Sequence, residues 1–92
     1  MRVTVRYLAQ AKQAAGAASE QVELPAGCLL RELICRLAER HGEPLRQILL
    51  AAAGSPHPAV LLFVGDEQAE PGGRVTLAEG DVVTVLSPMA GG

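Results

Sequence analysis

Hydrophobic and polar positions alternate near both ends of the chain and fall into a helical rhythm between them. In residues 2–8, Val3, Val5 and Tyr7 point one way and Arg2, Thr4, Arg6 and Leu8 the other, the pattern of a half-buried strand. Leu8 is the odd member, apolar on the polar face. Residues 9–15, with Gln10, Lys12 and Gln13 set among alanines, predict a short helix stopped at Gly16. That helix is too short to stand alone. A second alternation over residues 20–24 ends in the turn Pro25-Ala26-Gly27, so the first two strands are expected to pair antiparallel.

Between residues 29 and 41 the period becomes that of an amphipathic helix. Leu30, Leu33, Ile34, Leu37, Ala38 and His41 fall on one stripe, with Glu32, Arg36, Glu39 and Arg40 opposite, and Glu32 and Arg36 are spaced for an i,i+4 pair. Gly42 predicts the C-terminal cap, and Pro44 opposes continuation. Residues 45–50 read as a helical turn packed under the sheet. Pro56 and Pro58 flank His57 in a loop. Residues 59–64 form a continuous apolar run bounded by Gly65-Asp66, which predicts a buried central strand, and a short strand at 67–69 turns back from it. After the loop Pro71-Gly72-Gly73, Leu77-Ala78-Glu79-Gly80-Asp81 reads as a tight turn with Gly80 at positive φ. It feeds a strand at 82–86, with Val83 and Val85 on one face and Val82, Thr84 and Leu86 on the other. This order predicts an α+β fold, a mixed sheet with one main helix on one face.

Composition narrows the function. The 92 residues fit one domain, a folded core over about 1–86 and a tail at 87–92. One Tyr, one Phe and no Trp leave no aromatic platform for stacking bases, and a net charge of −2 gives no attraction to a phosphate backbone, so no nucleic-acid partner is expected. No apolar run is long enough to span a bilayer, so no membrane partner is expected, and the start of the chain lacks a signal-peptide pattern; a cytoplasmic address is the expectation. If the segment between them is helical, Cys28 and Cys35 sit about 10 Å apart along its axis, beyond disulfide reach. Cys35 lies about 130° from the apolar stripe, which predicts a partly exposed spectator thiol, and Cys28 reads as structural. His41 reads as a helix-end residue held by the last carbonyls. The two histidines and two cysteines lack metal-ligand spacing, so no metal site is expected. No nucleophile elbow, P-loop or paired-carboxylate motif is present, and Gly72-Gly73 lacks the helix that a phosphate cradle requires.

The last six residues, Ser87-Pro88-Met89-Ala90-Gly91-Gly92, follow the apolar strand. Pro88 removes a donor and ends the ladder, and two glycines without Cβ fit a channel closed to other residues. This predicts a flexible Gly-Gly tail aimed at another protein's active site, with the Gly92 α-carboxylate as the reacting group. If Val3, Val5, Tyr7, Val83 and Val85 face the helix, then Leu8, Val82 and Leu86 form an exposed apolar cluster beside the tail, a candidate partner surface. Phe63 belongs either to this patch or to the core.

With Tyr7-Leu8-Ala9-Gln10 before a short helix, Leu77-x-x-Gly80-Asp81 before the last strand, and Gly91-Gly92 at the end, the chain resembles the MoaD/ThiS-like ubiquitin-fold sulfur carriers over essentially its whole length, with the molybdopterin synthase small-subunit branch the nearest. The resemblance implies a β-grasp fold and a chain that is not catalytic alone. It implies that an E1-like adenylating enzyme (MoaB/MoeB/ThiF type) uses ATP to activate Gly92, that a sulfur donor protein converts it to a thiocarboxylate, and that a MoaE-like large synthase subunit receives the tail for molybdenum cofactor synthesis. No cofactor is expected on the chain itself. Two other expectations stay open: a carrier for thiamine, cysteine or tRNA thiolation or a lysine modifier, and a ubiquitin-like interaction module that never reacts.

Overall fold

Alternation in two strands distant in sequence builds the centre of the sheet. In the computed structural model, which describes residues 1–51, 54–70 and 73–87, strand β1 (Arg2–Ala9) lies parallel to the last strand, β5 (Val82–Ser87), with Val5 opposite Val83 and Tyr7 opposite Val85. On its other side β1 pairs antiparallel with β2 (Ser19–Glu23). Strand β3 (Leu61–Val64) pairs antiparallel with β5 and with β4 (Glu67–Ala69), giving the order β2-β1-β5-β3-β4. The start of β5 is fixed by the predicted turn. Gly80 takes φ 83° and its N–H donates to the Arg2 carbonyl at 2.8 Å, while Thr4 N–H donates to the Asp81 carbonyl at 2.9 Å. Left-handed backbone is cheap there only for glycine.

Helix α1 (Gln10–Ala15) ends at Gly16 in the left-handed conformation, as its sequence predicts. Helix α2 (Leu30–His41) buries Leu30, Leu33, Ile34, Leu37 and Ala38, and α3 (Leu45–Leu49) buries Leu45 and Leu49. These residues share one core with Val3, Val5, Tyr7, Leu62, Val83 and Val85. All three helices thus serve the same face of the sheet.

Several sequence expectations change in detail. The apolar run at 59–64 is not a strand buried on both faces. Only its last four residues extend, and β3 lies second from the sheet edge. Leu62 is fully buried, while Leu61 and Phe63 are half-buried on the face that no helix covers. The last strand runs one residue further than expected, to a buried Ser87. The Glu32 carboxylate turns back to accept the Leu29 N–H at 3.0 Å, capping α2 rather than reaching Arg36. Cys28 is buried and Cys35 half-buried. Burial, and then the Glu32 carboxylate, push the Cys28 thiol up against the opposing effect of Arg36.

His41 departs most from expectation. Its ring turns away from the helix-end carbonyls toward β2, where Nε2 lies 2.5 Å from Glu20 Oε2. Tyr7 donates its hydroxyl to the same oxygen at 2.5 Å, and Arg40 Nε lies 3.2 Å from Oε1. The Tyr7 and His41 rings meet edge to face at 5.9 Å. One carboxylate therefore ties the end of α2 to β1 and β2. Burial, and then the Glu20 hydrogen bond, push the Tyr7 phenol up. Burial alone pushes the Glu20 carboxyl up too, but the Tyr7 and His41 hydrogen bonds and the His41 and Arg40 charges outweigh it and hold the carboxyl below its ordinary value. The stabilisation is therefore complete above pH 4.5, the ordinary value, and is lost as pH falls through the lower folded value. Glu20→Ala is expected to cost about 1–3 kcal/mol at neutral pH by leaving the buried hydroxyl without its acceptor. Urea midpoints of wild type and variant should converge as the pH is lowered through that range.

Candidate functional site

The site gathers where β5 ends. Ser87 pairs with Ala9 of β1 and is 8 % exposed, so the sheet holds the chain up to the residue before Pro88. The predicted tail residues Pro88, Met89, Ala90, Gly91 and Gly92 lie outside the described residues. At the same end of the sheet the backbone turns sharply. Ala9 has φ 57° and ψ −130°, a conformation that costs a Cβ-bearing residue on the order of 1 kcal/mol, and it swings α1 beside the end of β5.

Period-2 alternation sends every second residue of the three central strands to the open face. Register aligns them in rows. Leu8, Leu86 and Leu61 form the row nearest the exit of β5; Arg6, Thr84 and Phe63 form the next; Thr4 and Val82 form the third. Leu8 is 39 % exposed and Val82 37 %, with Leu86 and Phe63 half-buried. The structure thus brings Leu8, Val82, Leu86 and Phe63 onto one surface, and it places Phe63 in the patch rather than the core. The result is an apolar row at the exit of β5 on a face that no helix covers.

Sequence reasoning missed Leu61, which completes the row beside Leu86. The run at 59–64 shows no alternation, so periodicity alone does not separate its two faces. The signal lies in β4: Gln68 opposite Phe63 shows that the Phe63 face is the open one, and Leu61, two residues away, shares it.

Among the described residues no helix is long and apolar enough to cross a membrane. No group of three or more His, Cys, Asp or Glu side chains is placed to hold a metal ion among them.

Comparison with known proteins gives a consistent result. The ThiS family model matches residues 5–92. No curated protein sequence gives a match. Among solved structures, a Pyrococcus furiosus protein assigned as molybdopterin converting factor, subunit 1, is 29 % identical, with 97 % of this chain and 99 % of that one covered and a TM-score of 0.76. A chain of the BexX/CysO complex of Amycolatopsis orientalis is 25 % identical over 98 % of this chain and 99 % of that one, with a TM-score of 0.66. SAMP1 of Haloferax volcanii is 18 % identical with full coverage of both chains and a TM-score of 0.86, a likeness of fold.

Proposed function

Because the chain belongs to the ThiS family of ubiquitin-like sulfur carriers, we propose that it carries sulfur as a thiocarboxylate on Gly92 and serves as the small subunit of a molybdopterin synthase. The observation that carries this reading is the family match through residue 92, which takes in Gly91-Gly92, separated by three residues from the end of a strand that closes in the sheet at Ser87. The identity to the P. furiosus protein supports the molybdopterin branch.

A carboxylate is a poor electrophile and must be activated first. An E1-like enzyme supplies ATP; the Gly92 carboxylate attacks the α-phosphate, pyrophosphate leaves, and an acyl adenylate remains. The outer sulfur of a donor protein's persulfide then displaces AMP to give an acyl disulfide, and a second thiol attacks the donor-side sulfur, forming a disulfide with the donor and releasing the thiocarboxylate. Glycine at the last two positions lets the terminus enter narrow active sites. The sheet aims the tail, and the large synthase subunit binds the open face while the thiocarboxylate enters its pocket. Tethering the sulfur beside a bound pterin precursor supplies much of the rate, because a held reactant acts as if highly concentrated.

Reconstitution tests this reading. Dithiolene formation on the pterin should require the large subunit and the thiocarboxylated chain, and an unmodified chain working equally well contradicts it. Leu8→Asp should weaken binding to the large subunit about tenfold or more, since apolar anchors at an interface centre carry most of its energy. Its 39 % exposure predicts a stability change within about 0.5 kcal/mol. Equal binding by Leu8→Asp removes the open face from the account.

A second reading keeps the chemistry and changes the recipient, supported by the likeness to a chain of the BexX/CysO complex. It predicts that the thiocarboxylated chain supports another sulfur-accepting reaction without the large synthase subunit. Tryptic remnants of residues 75–92 on the lysines of other proteins mark a modifier instead.

A further inference from the structure

Arg6 is the charged residue the carrier reading leaves unused. It lies exposed on β1, in the row that runs Ser19, Arg6, Thr84, Phe63, Gln68 across the open face. Leu8 lies two residues further along β1 on the same face, and Leu86 stands opposite it. A guanidinium bordering an apolar surface is available to a carboxylate of its own chain or of a partner. Here the paired strands place one carboxylate on that face, Glu23 on β2, and it is held by Arg2 at 2.8 Å, while Glu70, just past the end of β4, lies beside Leu61 and Gln68 at the far edge of the sheet and makes no ion pair with Arg6. Gln21, Ser19, Thr84 and Gln68 supply no charge. The chain is acidic by two charges overall, yet its apolar contact surface carries an uncompensated cation.

We propose that Arg6 is a specificity residue of the open face, selecting an activating enzyme whose docking surface sets a carboxylate against it inside an apolar ring. The inference rests on the carrier reading for the identity of that enzyme. Five residues follow Ser87, and an extended chain of that length reaches at most about 18 Å. An enzyme that takes Gly92 into its adenylation site must therefore come within that distance of the end of β5, and the apolar row at that exit is Leu8, Leu86 and Leu61, with Arg6 in the adjoining row. Arginine suits such a place. Its stem packs on apolar neighbours, its planar head takes a carboxylate through two parallel hydrogen bonds, and it is enriched among residues that dominate binding. Enclosure by apolar contacts strengthens the pair, and a partner offering a lysine there meets both repulsion and an uncompensated desolvation cost.

The test measures the dissociation constant of the full chain from the adenylating enzyme of the same genome by calorimetry, with ATP–pyrophosphate exchange recorded separately. Arg6→Ala is expected to raise the constant about tenfold and Arg6→Glu about a hundredfold, with Arg6→Lys recovering part of the loss. Arg31→Glu, on exposed α2, makes the same change in net charge away from the face and should bind as wild type. The salt dependence of binding should flatten in Arg6→Ala. Thermal melts of each variant establish that it is folded, and Arg6→Gln serves as a second neutral variant. Wild-type affinity in Arg6→Glu, or equal losses in Arg6→Glu and Arg31→Glu, overturns the proposal. Wild-type binding without pyrophosphate exchange overturns the carrier reading alone, and the Arg6 series still decides the contact; absence of wild-type binding overturns both.

Discussion

Removal of Gly91 and Gly92 is expected to abolish sulfur loading altogether while leaving the unfolding free energy of the domain within about 0.5 kcal/mol of wild type. Every residue of the core cluster lies at or before Val85, and the last ladder position is Ser87 opposite Ala9. Among the described residues the core is complete without the last two, so the truncation is expected to act on the chemistry, because the new terminus is too short to reach an active site that takes two more residues. Gly91→Val is a milder probe. It keeps the length and the carboxylate, adds a branched Cβ where the backbone must pass a narrow channel, and should slow loading roughly a hundredfold through misplacement of the reacting carbonyl. Pyrophosphate exchange and thiocarboxylate formation measure both. A non-reacting interaction module predicts no effect from either change.

The second large effect is on stability. Leu37→Ala should destabilise the domain by about 2–5 kcal/mol, since Leu37 is fully buried and the cavity closes only partly around the lost atoms. In a domain of this size total stability is about 5–15 kcal/mol, so the loss is a large fraction of it. A fall in melting temperature of about 10 °C or more follows from the small unfolding entropy of a short chain. Urea and thermal unfolding check it, with Arg36→Ala on the exposed side of α2 expected to change little. A change below about 1 kcal/mol for Leu37→Ala means that the α2 stripe does not carry the core.

Local features of the fold were legible because they are written in short-range periodicity. The stripe from Leu30 to Ala38, the alternation in β1 and β5, Gly16 and Gly42 as helix stops, and Gly80 at its turn each depend on residues within one element. What sequence periodicity does not carry is the relation between elements. Nothing local states that Thr4 lies opposite Val82 in a parallel pair, and the open-face rows follow from that register. Leu61 was hidden because six apolar residues in succession erase the distinction between faces. Glu20 reads as a solvent residue of an edge strand until the register of β2 brings it toward Tyr7 and the packing of α2 brings His41 to the same oxygen. Arg6 likewise reads as an ordinary polar-face residue until Glu23, the carboxylate that the β1–β2 register places on that face, is found engaged by Arg2.

The candidate site divides along the same line. The Gly-Gly motif and the residues Leu8, Val82 and Leu86 were apparent from composition and alternation, while Phe63 could be assigned to the patch only once Gln68 and Thr84 were found beside it. The central claim is chemical, and intact-mass spectrometry of the chain purified under gentle, thiol-free conditions from its own host tests it most directly. The account predicts a species heavier than the unmodified chain by the difference between sulfur and oxygen, with fragmentation placing the added mass on Gly92 and with its loss on treatment that hydrolyses thiocarboxylates. A chain that carries no such species, even after incubation with ATP, the activating enzyme and a sulfur donor, contradicts it.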